Sequence, residues 1–108
     1  MDGEVYGLSD LRSRLLEGGD LYLEFLRVES MSAGLYALPA GGVDPQDPHS
    51  EDEVYYVISG RAAINIAGQV RSVQAGSVIF VAKNIEHGFV DIDEDLEVLV
   101  LFAPAETP

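Results

Sequence analysis

Cysteine is absent from the 108 residues, lysine occurs once, at Lys83, and histidine twice, at His49 and His87. Without cysteine there is no disulfide framework, no thiolate metal site and no thiol nucleophile, so a bound metal must be held by imidazole with carboxylate or amide oxygen. Basic side chains are scarce, six against 19 acids, and the net charge of −13 would repel nucleic acid phosphates and anionic membrane surfaces. Neither is expected as a partner. No apolar run approaches the roughly 20 residues that cross a bilayer, and Met1-Asp2-Gly3-Glu4 lacks the basic and apolar regions of a secretion signal. A cytoplasmic location is the expectation. There is also no linker, repeat or low-complexity tract, so residues 1–108 read as a single domain, with a helical lead-in over 1–19 and a β-barrel over 20–104. A chain of this length buries only about 65% of the surface exposed when unfolded, which makes closure or dimerisation worth seeking.

What is present begins with one helix. Leucines at 8, 11, 15 and 16 have helical spacing, Ser9 is placed as an N-cap and Gly18-Gly19 as a stop. From residue 20 the pattern changes to short β-rich runs at intervals of about 8 to 12 residues, the signature of an all-β sandwich or barrel. The runs are 21–30, 33–38, 54–59, 62–67, 70–74, 77–82, 87–92 and 96–103. Gly41-Gly42, the Pro45–Pro48 loop, Ser59-Gly60, Ala67-Gly68, Ala75-Gly76 and the acidic 91–95 stretch separate them. Two runs, Val54-Tyr55-Tyr56-Val57-Ile58 and Val98-Leu99-Val100-Leu101-Phe102, are apolar on both faces. One face can line a barrel interior. One short helix leaves little to cover the other, so a homodimer is expected.

The chemistry lies in two segments, Gly41 to Gly60 and Gly76 to Asp91, each holding one of the two histidines. His49 and Glu53 are four apart across a loop-to-strand junction and can face one interior, with His87 opening a later strand alongside. Imidazole with carboxylate suits Fe, Mn, Ni, Cu or Zn, and a site with open positions can take a substrate or dioxygen. Tyr55 and Val57 share strand parity with Glu53, and Phe89 with His87, so an apolar pocket is expected beyond the ligands.

The spacing of these segments resembles that of the cupin superfamily, whose first motif is G-x5-H-x-H-x3-4-E-x6-G and whose second is G-x5-P-x-G-x2-H-x3-N. Gly41, Asp47, His49, Glu53 and Gly60 fall on the first, with Asp47 in place of its first histidine. Gly76, Ala82, Asn84, His87 and Asp91 fall on the second, with Ala82, Asn84 and Asp91 replacing its Pro, Gly and Asn. The resemblance implies a double-stranded β-helix, or jelly roll, with a divalent metal (Fe, Mn, Zn or Ni) held by His49, Glu53 and His87. It also implies a fourth ligand. Asp-Pro-Gln-Asp-Pro-His is similar to a subgroup in which a glutamine three residues before the histidine replaces the missing imidazole, which favours Gln46, with Asp47 the alternative. The function this implies is a small metal-dependent enzyme, an oxygenase-type protein acting on a small organic molecule, with Glu53 shifting off the metal, or a metal-bound hydroxide, as its catalytic base. A non-enzymatic small-molecule-binding module and a metal-assisted isomerase, lyase or cyclase are the alternatives.

Overall fold

The computed structural model describes residues 2–108. One helix, α1 (Leu8–Gly18), precedes six strands, β1 (Tyr22–Val28), β2 (Met31–Leu38), β3 (Asp52–Ile66), β4 (Gln69–Gln74), β5 (Val78–Val81) and β6 (His87–Ala103). All pairing is antiparallel, in the order β1-β2-β6-β3-β4 with β5 also on β3. The fold is the all-β jelly roll with a short N-terminal helix. β3 and β6 form its spine. The first half of β3 pairs with β5 and its second half with β4 along the same edge, while its other edge follows β6 from Ala103 back to His87.

Eight short runs in the sequence become six strands because two apparent turns are bends within continuous strands. At Gly60 the chain takes φ +94°, a value that strains any residue with a Cβ, and the β3–β6 register shifts three times between Val57 and Ala63. A Cβ at Gly60 would also collide with the Asp95 carbonyl on the opposing strand. The acidic 91–95 stretch stays in β6, where Arg61 lies opposite Glu94 and pairs with it at 3.3 Å. These irregularities let the two long strands curl until their ends meet.

The helix begins two residues earlier than the spacing predicts, with Gly7 at the N-cap making no side-chain bond and Ser9 inside the first turn. Its end is as expected, since Gly19 at φ +74° closes it with an N–H to the Leu16 carbonyl at 3.3 Å.

Alternation along β3 and β6 sends Tyr55, Val57, Val98, Val100 and Phe102 into the barrel interior with Tyr36, Leu38, Ile64 and Phe89. The opposite face is only partly covered. Leu11 and Leu15 of α1 bury Leu35 of β2 there, with Leu23, Phe25 and Ile58 packed around them, so the helix covers more of the outer face than the sequence led us to expect. Beyond its reach, Phe80, Val54 and Leu101 lie in one cross-strand row and Val78, Tyr56 and Leu99 in the next. Val78 is 70% exposed, Phe80 61% and Tyr56 44%. Among the described residues no helix is long and apolar enough to cross a membrane.

Candidate metal centre

His87 opens β6 opposite Ile66 at the far end of β3, yet its Nε2 lies 2.9 Å from Oε1 of Glu53 at the start of β3. Only the curl of the sheet brings them together. His49 arrives from the loop before β3, which is tied to the β5–β6 loop by the Asn84 N–H to the His49 carbonyl at 2.6 Å and by the Lys83 N–H to Asp52 Oδ1 at 2.9 Å. His49, Glu53 and His87 each offer a donor atom, and these lie within 4.8 Å of one another.

The imidazoles are oriented from behind. Nδ1 of His87 donates to the Ile85 carbonyl at 2.9 Å, which leaves Nε2 directed at Glu53. His49 packs its ring edge-on against Phe102 at 4.8 Å and presents Nε2 to Oε1 of Gln46 at 2.9 Å. Gln46 in turn is fixed by Asp44, whose carboxylate accepts the Gln46 Nε2 and backbone N–H bonds, both at 3.2 Å, the Tyr36 hydroxyl at 2.6 Å and the Phe89 N–H at 2.9 Å. A carboxylate accepts but cannot donate, so the Gln46 amide nitrogen must face Asp44 and its oxygen must face the histidines. The Tyr55 hydroxyl bridges the two halves, 3.2 Å from Gln46 Oε1 and 3.0 Å from His87 Nε2.

Electrostatics sharpen the arrangement. Burial works against a charge on His87, but Glu53, the Ile85 carbonyl and Asp44 outweigh it and hold the imidazole pKa above its ordinary value. Burial, reinforced by the Glu53 charge, pushes the Tyr55 phenol far upward, so Tyr55 stays protonated and donates instead of serving as a phenolate ligand. Tyr36 is raised in the same way by burial and by its bond to Asp44.

These residues fit a divalent cation. The Glu53 carboxylate is fully buried, and neither of its oxygens has a hydrogen bond; the His87 contact is close without being so directed. A buried carboxylate that accepts no hydrogen bond is costly, and Glu53 Oε1, His87 Nε2, His49 Nε2 and Gln46 Oε1 converge around one phenolic proton. A cation resolves that convergence.

Of the residues singled out from sequence, His49, Glu53, His87, Gln46 and Tyr55 come together here, whereas Asp47 is exposed on the outside of its loop. Val57 and Phe89 face the interior but belong to the core; neither lines the cavity beside His49. That cavity, about 420 Å³, has walls of Tyr22, Tyr36, Val100 and Phe102 and reaches the site through His49 and Gln46. Sequence reasoning missed Asp44, although Asp44-Pro45-Gln46 carries an Asx-turn signal, the side chain accepting from the N–H two residues on.

Comparison with known proteins agrees with this architecture. An uncharacterised protein of Streptomyces coelicolor is 46% identical over 104 residues, covering 96% of this chain and 99% of its own length. The structure of KdgF from Halomonas sp. superposes with a TM-score of 0.70 at 23% identity, covering 77% of this chain and 76% of that one. The DMSP lyase DddQ from Ruegeria pomeroyi gives a TM-score of 0.66 at 26% identity over 70% of this chain, and the match spans 39% of that larger protein. A family model described as cupin domain matches residues 34–102, which contain all three clustered donors, and the chain belongs to the cupin superfamily.

Proposed function

We propose that this cupin is a metal-dependent enzyme of oxygenase type, acting on a small organic molecule admitted through the cavity beside His49. The observation that carries the reading is the buried Glu53 carboxylate, unbonded and facing two imidazoles and an amide oxygen. His49, Glu53, His87 and Gln46 would hold the ion, and two imidazoles, one carboxylate and one neutral amide leave a divalent site at about +1. Bound there, the metal would supply Lewis acidity and open positions for substrate and dioxygen. The chain's own residues do the rest. Tyr22, Tyr36, Val100 and Phe102 exclude water from one side of the substrate, Tyr55 keeps a proton available beside Gln46 and His87, and Glu53 is the candidate base. Among the described residues the cavity lining includes Asp20 and Glu106 but no lysine or arginine, which argues for a neutral or cationic substrate over a phosphorylated one.

A metal-assisted lyase is the second reading, favoured by the likeness to the DMSP lyase at 26% identity. A binding module without catalysis is the outcome if no turnover accompanies metal uptake. We further propose that the protein is a cytoplasmic homodimer, built on the exposed rows of β3, β5 and β6, with residues 1–108 forming one domain.

Elemental analysis of protein purified without chelator, followed by oxygen-consumption assays on small neutral and cationic organic molecules, tests the reading. Iron or manganese near one per chain with oxygen uptake supports it. Zinc with substrate elimination and no oxygen uptake would move the assignment to the lyase. Both His49→Ala and His87→Ala should lose the ion while the barrel stays folded, and full occupancy in either variant would refute the ligand set.

A further inference from the structure

The C-terminal segment after β6 returns to the site. The Ala105 N–H reaches the Glu29 carbonyl at 3.4 Å, the Glu106 N–H donates to Ser32 Oγ at 2.9 Å, and Arg27 donates to the Glu106 carbonyl at 2.7 Å. One residue on, the Thr107 hydroxyl donates to the buried Glu51 carboxylate at 3.0 Å. Both backbone groups of Glu106 are thus held by the β1–β2 hairpin, and the following residue is held by the loop that carries His49. The segment is a strap between the two.

At its centre, Glu106 Oε2 lies 3.1 Å from Nδ1 of His49. We propose that Glu106 is a positioning residue for the metal centre, accepting the Nδ1–H of His49 so that Nε2 is fixed toward the ion. The inference rests on the metal-binding reading above. The counterpart at His87 is the hydrogen bond from Nδ1 to the Ile85 carbonyl, and the Glu106 carboxylate stands at the same nitrogen of His49. A surface ion pair with no such role would couple two mobile side chains, but here both partners are mostly sheltered, His49 to 17% exposure and Glu106 to 26%, and the Glu106 backbone is fixed at both ends. A carboxylate behind a ligating imidazole selects its tautomer, orients the ring and raises its basicity, and losing such a partner typically costs about 10- to 100-fold in metal affinity.

Glu106→Ala and Glu106→Gln, titrated with Zn²⁺ and Mn²⁺ beside the unaltered chain, test this. The alanine variant should bind about 10- to 100-fold more weakly, and the glutamine variant, whose amide oxygen can still accept the Nδ1–H, should recover part of the loss. In the Zn²⁺-loaded protein the downfield His49 Nδ1–H resonance should move upfield or exchange away in Glu106→Ala and persist in Glu106→Gln. Thermal unfolding of the metal-free forms separates a folding role from this one. An alanine variant that binds within twofold of the unaltered chain overturns the proposal. So does a glutamine variant as weak as alanine with both metal-free forms equally destabilised, which would make the strap a folding element only. If the unaltered chain takes up no metal at all, the metal reading fails instead.

Discussion

Glu53 is the residue at which folding and function pull apart. Its carboxylate is buried without a hydrogen bond, an arrangement that costs the metal-free fold about 1–3 kcal/mol or more. Replacing it by glutamine removes the charge and supplies an N–H able to meet His87 Nε2, so Glu53→Gln should be more stable than the unaltered chain in chelator by about 1–2 kcal/mol. The same variant should gain no stability from added Zn²⁺ or Mn²⁺. Thermal unfolding with and without metal checks both halves, and a metal-free Glu53→Gln protein that melts lower would show that the carboxylate serves the fold. For the neighbouring choice between Gln46 and Asp47 we propose Gln46, on direction. Gln46 Oε1 faces His49 Nε2 at 2.9 Å while Asp47 faces solvent, so Gln46→Ala should weaken metal binding at least tenfold and Asp47→Ala should leave it near the original value in the same titration. His49, Glu53 and His87 were legible in sequence because ligand types at motif spacing are rare together. Glu106 was not, because its contact with His49 spans 57 residues and has no local pattern.

Among the elements, β3 and β6 carry the curvature that closes the site, and Gly60 is where β3 bends. In sequence, Ser59-Gly60 reads as a turn because a glycine that ends a strand and a glycine that bulges one look the same locally; only the partner strand distinguishes them. The acidic 91–95 stretch was opaque for the same reason, since its β character comes from pairing with the chain around Arg61 and not from its own side chains. The β-branched runs and the Gly19 helix stop were legible because their physics is local. Gly60→Ala should cost at least about 2 kcal/mol in urea unfolding, combining the φ of +94° with the collision against Asp95. Metal affinity should fall with it, because the bend returns His87 to Glu53. A Gly60→Ala protein of unchanged stability would mean that β3 can redistribute its bulges.

For the whole molecule the governing conflict is between an exposed apolar face and a net charge of −13. Val54, Tyr56, Val78, Phe80, Leu99 and Leu101 form two adjoining cross-strand rows that α1 does not reach, and the homodimer proposed above would join two copies of this face about a two-fold axis. Two copies of the chain bring their charges together when they meet there, so the apolar contact must exceed a long-range repulsion. Salt screens that repulsion, with a Debye length of about 30 Å at 0.01 M falling to about 10 Å at 0.1 M, whereas burial of Phe80 and Val78 does not weaken as salt rises. The dimer should therefore tighten with ionic strength, opposite to an interface held by ion pairs. Light scattering at low and moderate salt should show a mass moving toward twice the 11.7 kDa of the chain. Phe80→Glu, which places a charge in the patch on the face of β5 turned away from the metal ligands, should give the single-chain mass at every salt concentration while still binding metal. A Phe80→Glu protein that remains dimeric would place the interface elsewhere, and a dimer that loosens as salt is added would show that ion pairs, not the apolar rows, hold the copies together.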